Sequence, residues 1–299
     1  MTGHNHGITG HGGEADETLT GRLKFAIFLT GGIFVAEVIG GWLTNSLALM
    51  SDAAHVFMDV FALGLSLFAI RIAHLPPTEK RTFGLHRAEV FVAFVNSLLL
   101  VIVTIFIFYK AATRLMDPQP VESTGMLVVA AIGLVVNLVV AARLHSFAEK
   151  DLNIKSAFLH VAGDAAASVG VIIGAVVIHF TGWVLIDPIV SLLIGLVIIF
   201  GAWRILRDSS HILLEGVPKD VDLNTVLESI RSVEGVTNVH SLHIWSICHN
   251  VYALSAHVDI VPAQKWRTGE IFSQINEKLA EPHHIFYTTL QAECTGCDR

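Results

Sequence analysis

The sequence predicts a membrane protein that combines an all-α bundle of six transmembrane helices with a C-terminal α+β domain. Hydrophobic residues make up 53% of the 299 residues and charged residues only 15%, and the mean hydropathy is +0.63. Soluble domains carry about 25% charged residues, so this composition is typical of an integral membrane protein. Apolar stretches of spanning length fill the larger N-terminal part, whereas the C-terminal part has the mixed character of a soluble domain.

Six stretches each contain about the 20 mainly apolar residues that are needed to cross a bilayer. They cover residues 23–43, 47–72, 88–114, 122–146, 154–180 and 184–206. Lysine and arginine concentrate in the loops on one side, whereas the opposite side carries only Lys110 and Arg114. Because positively charged loops stay in the cytoplasm, both termini are predicted to be cytoplasmic. The cell (inner) membrane is the expected location, because the compact loops favour a bacterial protein; an organelle membrane stays open as the alternative.

Three domains are predicted from these changes in composition. Residues 1–22 are polar, glycine-rich and contain histidines, which predicts a flexible cytosolic tail. Residues 23–206 form the transmembrane domain, and residues 207–299 form a cytosolic domain. In the last domain, helical and β-branched stretches follow one another in the order αββαβ. This order predicts helices packed on one face of an antiparallel sheet.

Two of the predicted spans contain the same polar pattern, H-x-x-x-D. His55 and Asp59 lie in the second span, and His160 and Asp164 lie in the fifth. Residues four apart share one face of a helix, so each pair presents an imidazole and a carboxylate in the same direction. The two spans run in opposite directions, and both pairs lie near the bilayer midplane. We therefore expect His55 to face Asp164 and Asp59 to face His160.

Four such side chains at one depth form a tetrahedral site with two nitrogen and two oxygen donors. Zn²⁺ binds histidine nitrogen and carboxylate oxygen at about 2.0–2.2 Å. Mg²⁺ and Ca²⁺ prefer oxygen donors alone, and Cu(I) prefers sulfur. The donor set therefore favours Zn²⁺, and it also accommodates Cd²⁺ and Co²⁺. Two alternatives stay open from the residues alone: polar pairing between helices, and a purely structural metal.

Several longer motifs accompany the two H-x-x-x-D pairs, namely "SLALMSDAAHVFMD", "TFGLHRAEVFVAFVN", "LLEGVP" and "VHSLHIW". Together they resemble the cation diffusion facilitators, in the branch of bacterial zinc, cobalt and cadmium efflux proteins, over nearly the whole chain. The resemblance implies a homodimer of six-span subunits, each with a cytosolic ferredoxin-like domain, that exports Zn²⁺ in exchange for H⁺. It also implies that the transported ion binds to His55, Asp59, His160 and Asp164.

Proton exchange also follows from the chemistry of these ligands. Imidazole and carboxylate donors must lose their protons to bind a metal, and a histidine pKa near 6.5 allows protons to displace the metal at an acidic outer face. A single site that opens alternately to each side then suffices for antiport. Asp52, one turn before His55, and Glu37 in the first span are candidate proton relays. A water contact near the helix end is an equally consistent interpretation of Asp52.

The cytosolic domain contains a second set of metal-binding residue types. His240 and His257 lie in adjacent predicted strands, and Glu293, Cys294 and Cys297 lie in the C-terminal segment. A C-x-x-C pair with nearby histidines indicates a Zn²⁺ site. The resemblance implies that such a site lies at or near the dimer interface, where bound zinc regulates transport.

For several other histidines, the sequence does not decide whether they bind metal. His74 and His86 flank the loop between the second and third spans, where relatives can have an auxiliary site. Relatives usually have a histidine just before a strand like "TTIQ", whereas this chain has Phe286 and Tyr287 there and its histidines earlier, at His283 and His284. Weak binding is also conceivable in the N-terminal tail, which carries His4, His6 and His11.

Rival classes of function are less consistent with the sequence. No H-E-x-x-H, G-x-S-x-G or P-loop pattern occurs, so we do not expect an enzyme. A membrane-embedded zinc sensor with a structural intramembrane metal is the main alternative, but no kinase, nucleotide-binding or DNA-binding pattern is attached. A channel is disfavoured because permeation needs weak or multiple sites. The net charge of −7, without any basic run, indicates no nucleic-acid partner.

Overall fold

The computed structural model describes residues 13–73, 75–148, 152–248 and 251–293, with the backbone alone at 13–28, 70, 146–148, 152–154 and 156–157. The described chain divides into two compact units. The first contains the residues up to Leu63 together with Leu99–Gly201, and the second contains Gly64–Leu98 together with the residues from Ala202 onward.

Long helices form most of the N-terminal part of the described chain. They are α1 (Gly13–Thr44), α2 (Leu47–Ala73), α3 (Arg87–Met116), α4 (Ser123–Ala148), α5 (Leu152–Thr181) and α6 (Ile186–Leu213). In the described residues, α2 to α6 are long and apolar enough to cross a membrane, and α1 contributes a shorter apolar segment, Leu29–Thr44. Each helix coincides with one predicted span, which confirms the all-α transmembrane part of the fold class.

α1 and α6 extend furthest beyond their predicted ends. α1 begins at Gly13, inside the segment that was predicted as a tail up to residue 22. The sequence EADE that follows contains good helix formers, and its acidic side chains are favourable near a helix N-terminus. α6 continues to Leu213, past the predicted domain boundary at residue 206. α6 runs past residue 206 because the signals that terminate a helix come only after Leu213. These signals are the left-handed φ of 59° at Glu215 and the glycine that follows it, Gly216.

Buried apolar side chains of α2, α4, α5 and α6 form the core of the first unit. The core contains Ala48, Leu49, Met126, Ala130, Val171, Ala175, Ile178, Val190, Ile194 and Ile198.

A glycine allows α1 and α4 to pack closely against each other. A Cβ atom added at Gly40 would lie only 2.6 Å from Cγ2 of Val129, so any larger residue would push the two helices apart.

A buried carboxylate at the start of α6, Asp187, fixes the beginning of α2. Its side chain is 0% exposed and accepts a hydrogen bond of 2.6 Å from the hydroxyl of Ser46. It also accepts hydrogen bonds from the backbone N–H groups of Leu47, at 2.7 Å, and Ala48, at 3.1 Å. First-turn N–H groups have no partner within their own helix. Arg114, near the end of α3, balances the charge at a distance of 3.4 Å.

The C-terminal domain has the predicted element order αββαβ, with a short 3₁₀ helix added. Its elements are α7 (Leu223–Arg231), β1 (Val236–Cys248), β2 (Val251–Ile260), the 3₁₀ helix (Pro262–Arg267), α8 (Thr268–His283) and β3 (Ile285–Glu293). The core between helices and sheet contains Ile230, Leu254, Ile275 and Leu279, each at most 1% exposed.

The sheet of this domain is mixed, so the prediction of an antiparallel sheet is wrong in part. The strand order is β1-β2-β3, in which β1 and β2 are antiparallel but β2 and β3 are parallel. α8 lies between β2 and β3 in the chain. Parallel neighbours need such a crossover connection, which returns the chain to the end at which the first strand began.

Candidate functional site

The four residues of the H-x-x-x-D pairs converge between α2 and α5. Within the helices, Nε2 of His55 lies 3.5 Å from Oδ2 of Asp59, and Nε2 of His160 lies 3.8 Å from Oδ2 of Asp164. Between the helices, His55 Nε2 lies 3.8 Å from Asp164 Oδ1. His160 Nε2 lies 3.3 Å from Asp59 Oδ2. Each imidazole therefore faces the carboxylate of the other helix, which is the arrangement expected for two antiparallel helices.

These separations match the size of a tetrahedral zinc site. Donors that lie about 2.0–2.2 Å from a central ion lie roughly 3.3–3.6 Å from one another. The nitrogen-to-oxygen distances in the cluster range from 3.3 to 3.8 Å. One donor atom from each of His55, His160 and Asp164 lies within 4.8 Å of the other two. Asp59 is not part of this group of three, but its Oδ2 lies 3.5 Å from Nε2 of His55 and 3.3 Å from Nε2 of His160.

The donors of the cluster differ in exposure. The side chain of His160 is 49% exposed, whereas that of Asp164 is 11% exposed, so the cluster is open beside His160 and closed behind Asp164. Oδ2 of Asp59 is buried between the two imidazoles, 3.3 Å from Nε2 of His160 and 3.5 Å from Nε2 of His55. A carboxylate oxygen in this position is placed to share a cation with both rings.

The two candidate proton relays, Glu37 on α1 and Asp52 on α2, are both buried. Each residue is 2% exposed. Glu37 is close enough to Asp52 and Asp164 to interact electrostatically, and Asp52 is similarly close to Asp59 and Asp164. Neither carboxyl group is exposed to solvent within the described chain.

In the C-terminal domain, three of the five predicted ligands come together. His240 on β1 is paired with His257 on β2 across the antiparallel ladder, and their ring centroids are 5.1 Å apart. Glu293, at the end of β3, places one carboxylate oxygen 3.2 Å from His240 Nε2 and the other 2.7 Å from His257 Nδ1. One donor atom of each residue lies within 4.8 Å of the others. Cys294 and Cys297 lie outside the described residues.

The electrostatics of this second cluster favour a charged carboxylate. Desolvation raises the pKa of the Glu293 carboxyl group, but hydrogen bonds and charge interactions with His257 and His240 outweigh it and hold the pKa below its ordinary value of 4.5. An ionised carboxylate beside two imidazole nitrogens is a donor set that Zn²⁺ accepts.

The other histidines that could bind metal do not join either cluster where the structure describes them. His86 lines a cleft to which no second histidine or cysteine contributes. His283 forms a hydrogen bond of 3.1 Å with the hydroxyl of Ser229, and His284 ends α8 with a left-handed φ of 53°. The remaining candidates lie outside the described residues: His4, His6, His11 and His74.

Family models of cation efflux proteins match both parts of the chain. The model of the cation efflux transmembrane domain matches residues 23–214. The model of the cation efflux protein, cytoplasmic domain, matches residues 218–294. The first match contains all four residues of the intramembrane cluster, and the second contains His240, His257 and Glu293.

Curated relatives are similar to this chain over nearly their whole length. The metal cation efflux system protein CzcD of Cupriavidus metallidurans is 43% identical over 297 residues, which cover 99% of this chain and 92% of the relative. The zinc transporter ZitB of Shigella flexneri is 39% identical, covering 93% and 88%. The cadmium, cobalt and zinc/H(+)-K(+) antiporter of Bacillus subtilis is 37% identical, covering 91% and 88%.

Proposed function

Because this chain belongs to the cation efflux family, we propose that it exports divalent metal ions from the cytoplasm in exchange for protons. The observation that carries the proposal is the convergence of His55, Asp59, His160 and Asp164 at distances suited to one tetrahedral ion. Two carboxylates neutralise the double charge of such an ion, which makes its passage through a low-dielectric environment possible.

We propose Zn²⁺ as the principal substrate, with Cd²⁺ and Co²⁺ as further substrates. Two imidazole nitrogens and two carboxylate oxygens suit Zn²⁺, which accepts a tetrahedral set of these donors. The names of the relatives agree with this choice, since one is a zinc transporter and another a cadmium, cobalt and zinc antiporter. No sulfur donor lies in the described part of the cluster, which disfavours Cu(I).

Protons are the counter-ion because they compete with the metal for the same atoms. Each histidine must be neutral and each carboxyl group ionised to bind the ion, so metal binding releases protons and proton binding releases metal. The exposed side of the cluster at His160 provides a route for the ion in one state. Exposure of the same donors to the other side completes a cycle of alternating access.

We place the protein in the cell (inner) membrane as a homodimer with both termini in the cytoplasm. The excess of lysine and arginine on one side of the predicted spans supports the orientation. The family model that matches residues 218–294 is a cytoplasmic domain and is named for a dimer, which supports both the side and the assembly. The sensor alternative gains no support, because the relatives are named as efflux proteins and transporters.

Zinc uptake into proteoliposomes under an imposed pH gradient tests the proposed exchange. With an acidic lumen, we expect zinc to enter as protons leave, and we expect a protonophore to abolish the uptake. A zinc-sensitive dye in the lumen follows the ion. Uptake that is equally fast without a gradient would indicate a channel. Well-folded protein that shows no uptake at all would indicate a sensor with a structural metal.

We propose that His240, His257 and Glu293, together with Cys294 and Cys297, hold a resident metal ion in the cytosolic domain. We expect His240→Ala to weaken zinc binding at this second site by at least about 10-fold. Loss of a residue that only hydrogen-bonds to a metal ligand already costs roughly 10–100-fold in affinity, and His240 is proposed as a direct ligand. His243→Ala is the matched control, since it removes an exposed histidine from the same strand. Equal zinc stoichiometry and affinity in both variants, measured by titration calorimetry, would exclude the cluster as a metal site.

A further inference from the structure

Glu37 and Asp52 are buried acids that the metal ligand set does not use. Both residues are 2% exposed, and one carboxyl oxygen of each, Oε2 of Glu37 and Oδ1 of Asp52, is buried without a hydrogen-bond partner among the described residues. Neither side chain has an ion pair with a lysine, arginine or histidine in the described part of the chain. Buried polar atoms without partners are rare in folded proteins, so both atoms need an explanation.

The surroundings of Glu37 leave room for its carboxyl group, and no ion pair joins this group to a basic side chain in the described part of the chain. A Cβ atom added at Gly133 on α4 would lie 3.2 Å from Oε1 of Glu37 and 3.6 Å from the hydroxyl of Ser168 on α5. That hydroxyl already donates a hydrogen bond of 3.1 Å to the backbone carbonyl of Asp164. The absence of a side chain at Gly133 therefore makes space for Glu37, beside a hydroxyl group that is engaged elsewhere.

Among the described residues, the strongest charge interactions of Glu37 and Asp52 are with other carboxyl groups. Glu37 interacts with Asp52 and Asp164, and Asp52 interacts with Asp164 and Asp59. An ionised carboxylate in such a place would have neither a protein hydrogen bond to its free oxygen nor a basic counter-ion among the described residues. Burial of an unpaired charge is costly enough that the group takes up a proton instead. Burial without a basic partner therefore favours the protonated form of both side chains.

We propose that Glu37 and Asp52 form a proton-binding site of the exchanger that is separate from the four metal ligands. This inference rests on the proposed metal/proton exchange and adds the residues that bind some of the exchanged protons. A dication bound next to Asp164 brings positive charge close to both acids, which favours their ionised forms. The O–H bonds of the two acids then break, and the protons pass to cytoplasmic water. When the metal leaves at the outer face, protons from that side restore the O–H bonds.

The number of protons that are released when zinc binds tests this proposal. Titration calorimetry of the purified full-length protein, in buffers that differ in ionisation enthalpy, gives this number directly. We expect Glu37→Gln, which keeps the size but cannot ionise, to release about one proton fewer per zinc than the wild type. Glu37→Asp should restore the lost proton because it restores a carboxyl group. Asp52→Asn provides the same measurement should Glu37→Gln fail to fold.

Transport assays separate a proton-binding role from a merely structural one. Exchange of zinc for zinc across a liposome membrane needs the metal ligands but no protonation, so we expect Glu37→Gln to retain it. Uptake driven by a pH gradient should fall at least about 10-fold in the same variant. Equal loss of both activities, or proton release equal to the wild type, would overturn the proposal. Zinc binding by the wild type without any proton release would instead overturn the proposed exchange itself.

Discussion

Asp164→Ala is expected to abolish zinc transport and to weaken zinc binding at the intramembrane site at least about 100-fold. Asp164 is the least exposed of the four donors, at 11%, and its carboxylate lies 3.8 Å from both imidazoles. Its loss leaves a dication with one carboxylate in a low-dielectric environment. Removal of a residue that only hydrogen-bonds to a metal ligand already costs about 10–100-fold in metal affinity, and removal of a direct ligand costs no less.

His179→Ala is the matched control for this change, because it alters an exposed residue on the same helix, away from the cluster. We expect the control to bind and transport zinc like the wild type. Proteoliposome uptake and equilibrium zinc binding are measured on both variants, after their thermal stabilities in detergent have been compared. Normal uptake by a folded Asp164→Ala protein would mean that the ion passes elsewhere.

Asp187→Ala is expected to destabilise the protein by about 3–5 kcal/mol, the range for breaking a buried ion pair. The substitution leaves Arg114 without its partner and three donors at the start of α2 without an acceptor. It acts on the same helix that carries His55 and Asp59, so zinc affinity should fall together with stability.

Asp117→Ala serves as the control for this second change, since Asp117 is an exposed acid at the end of α3 whose side chain accepts a hydrogen bond from Gln119. Surface substitutions of this kind stay within about 0.5 kcal/mol of the wild type. Equilibrium unfolding in mixed micelles compares the two variants. Equal stability of both variants would show that the hydrogen bonds and the ion pair of Asp187 contribute little to the fold.

The convergence of the intramembrane cluster was predictable because helix geometry leaves little freedom. The spacing of four residues places His55 beside Asp59 and His160 beside Asp164 wherever a helix forms. The alternation of spans then makes α2 and α5 antiparallel, which pairs each imidazole with the opposite carboxylate. Composition alone indicates the spans, because about 20 mainly apolar residues are needed to cross a bilayer.

Contacts between residues distant in sequence were not predictable in the same way. Asp187 accepts a hydrogen bond from Ser46, 141 positions away, and a lone aspartate at a span terminus does not reveal such a partner. The parallel pairing of β2 and β3 depends on where α8 returns the chain, which the strand pattern does not contain. The sequence likewise shows that Glu37 lies within a span, but not that one of its oxygens lacks a hydrogen-bond partner.

X-ray absorption at the zinc edge would identify the atoms that hold the transported ion. The sample is the full-length His257→Ala protein loaded with one equivalent of zinc, so that the cytosolic cluster is weakened. We expect two imidazoles and two oxygens at about 2.0–2.2 Å, and no sulfur. The imidazole signal should disappear when His55→Ala and His160→Ala are added. A spectrum with sulfur ligands, or one that these changes leave as it was, would contradict the assignment of the intramembrane site.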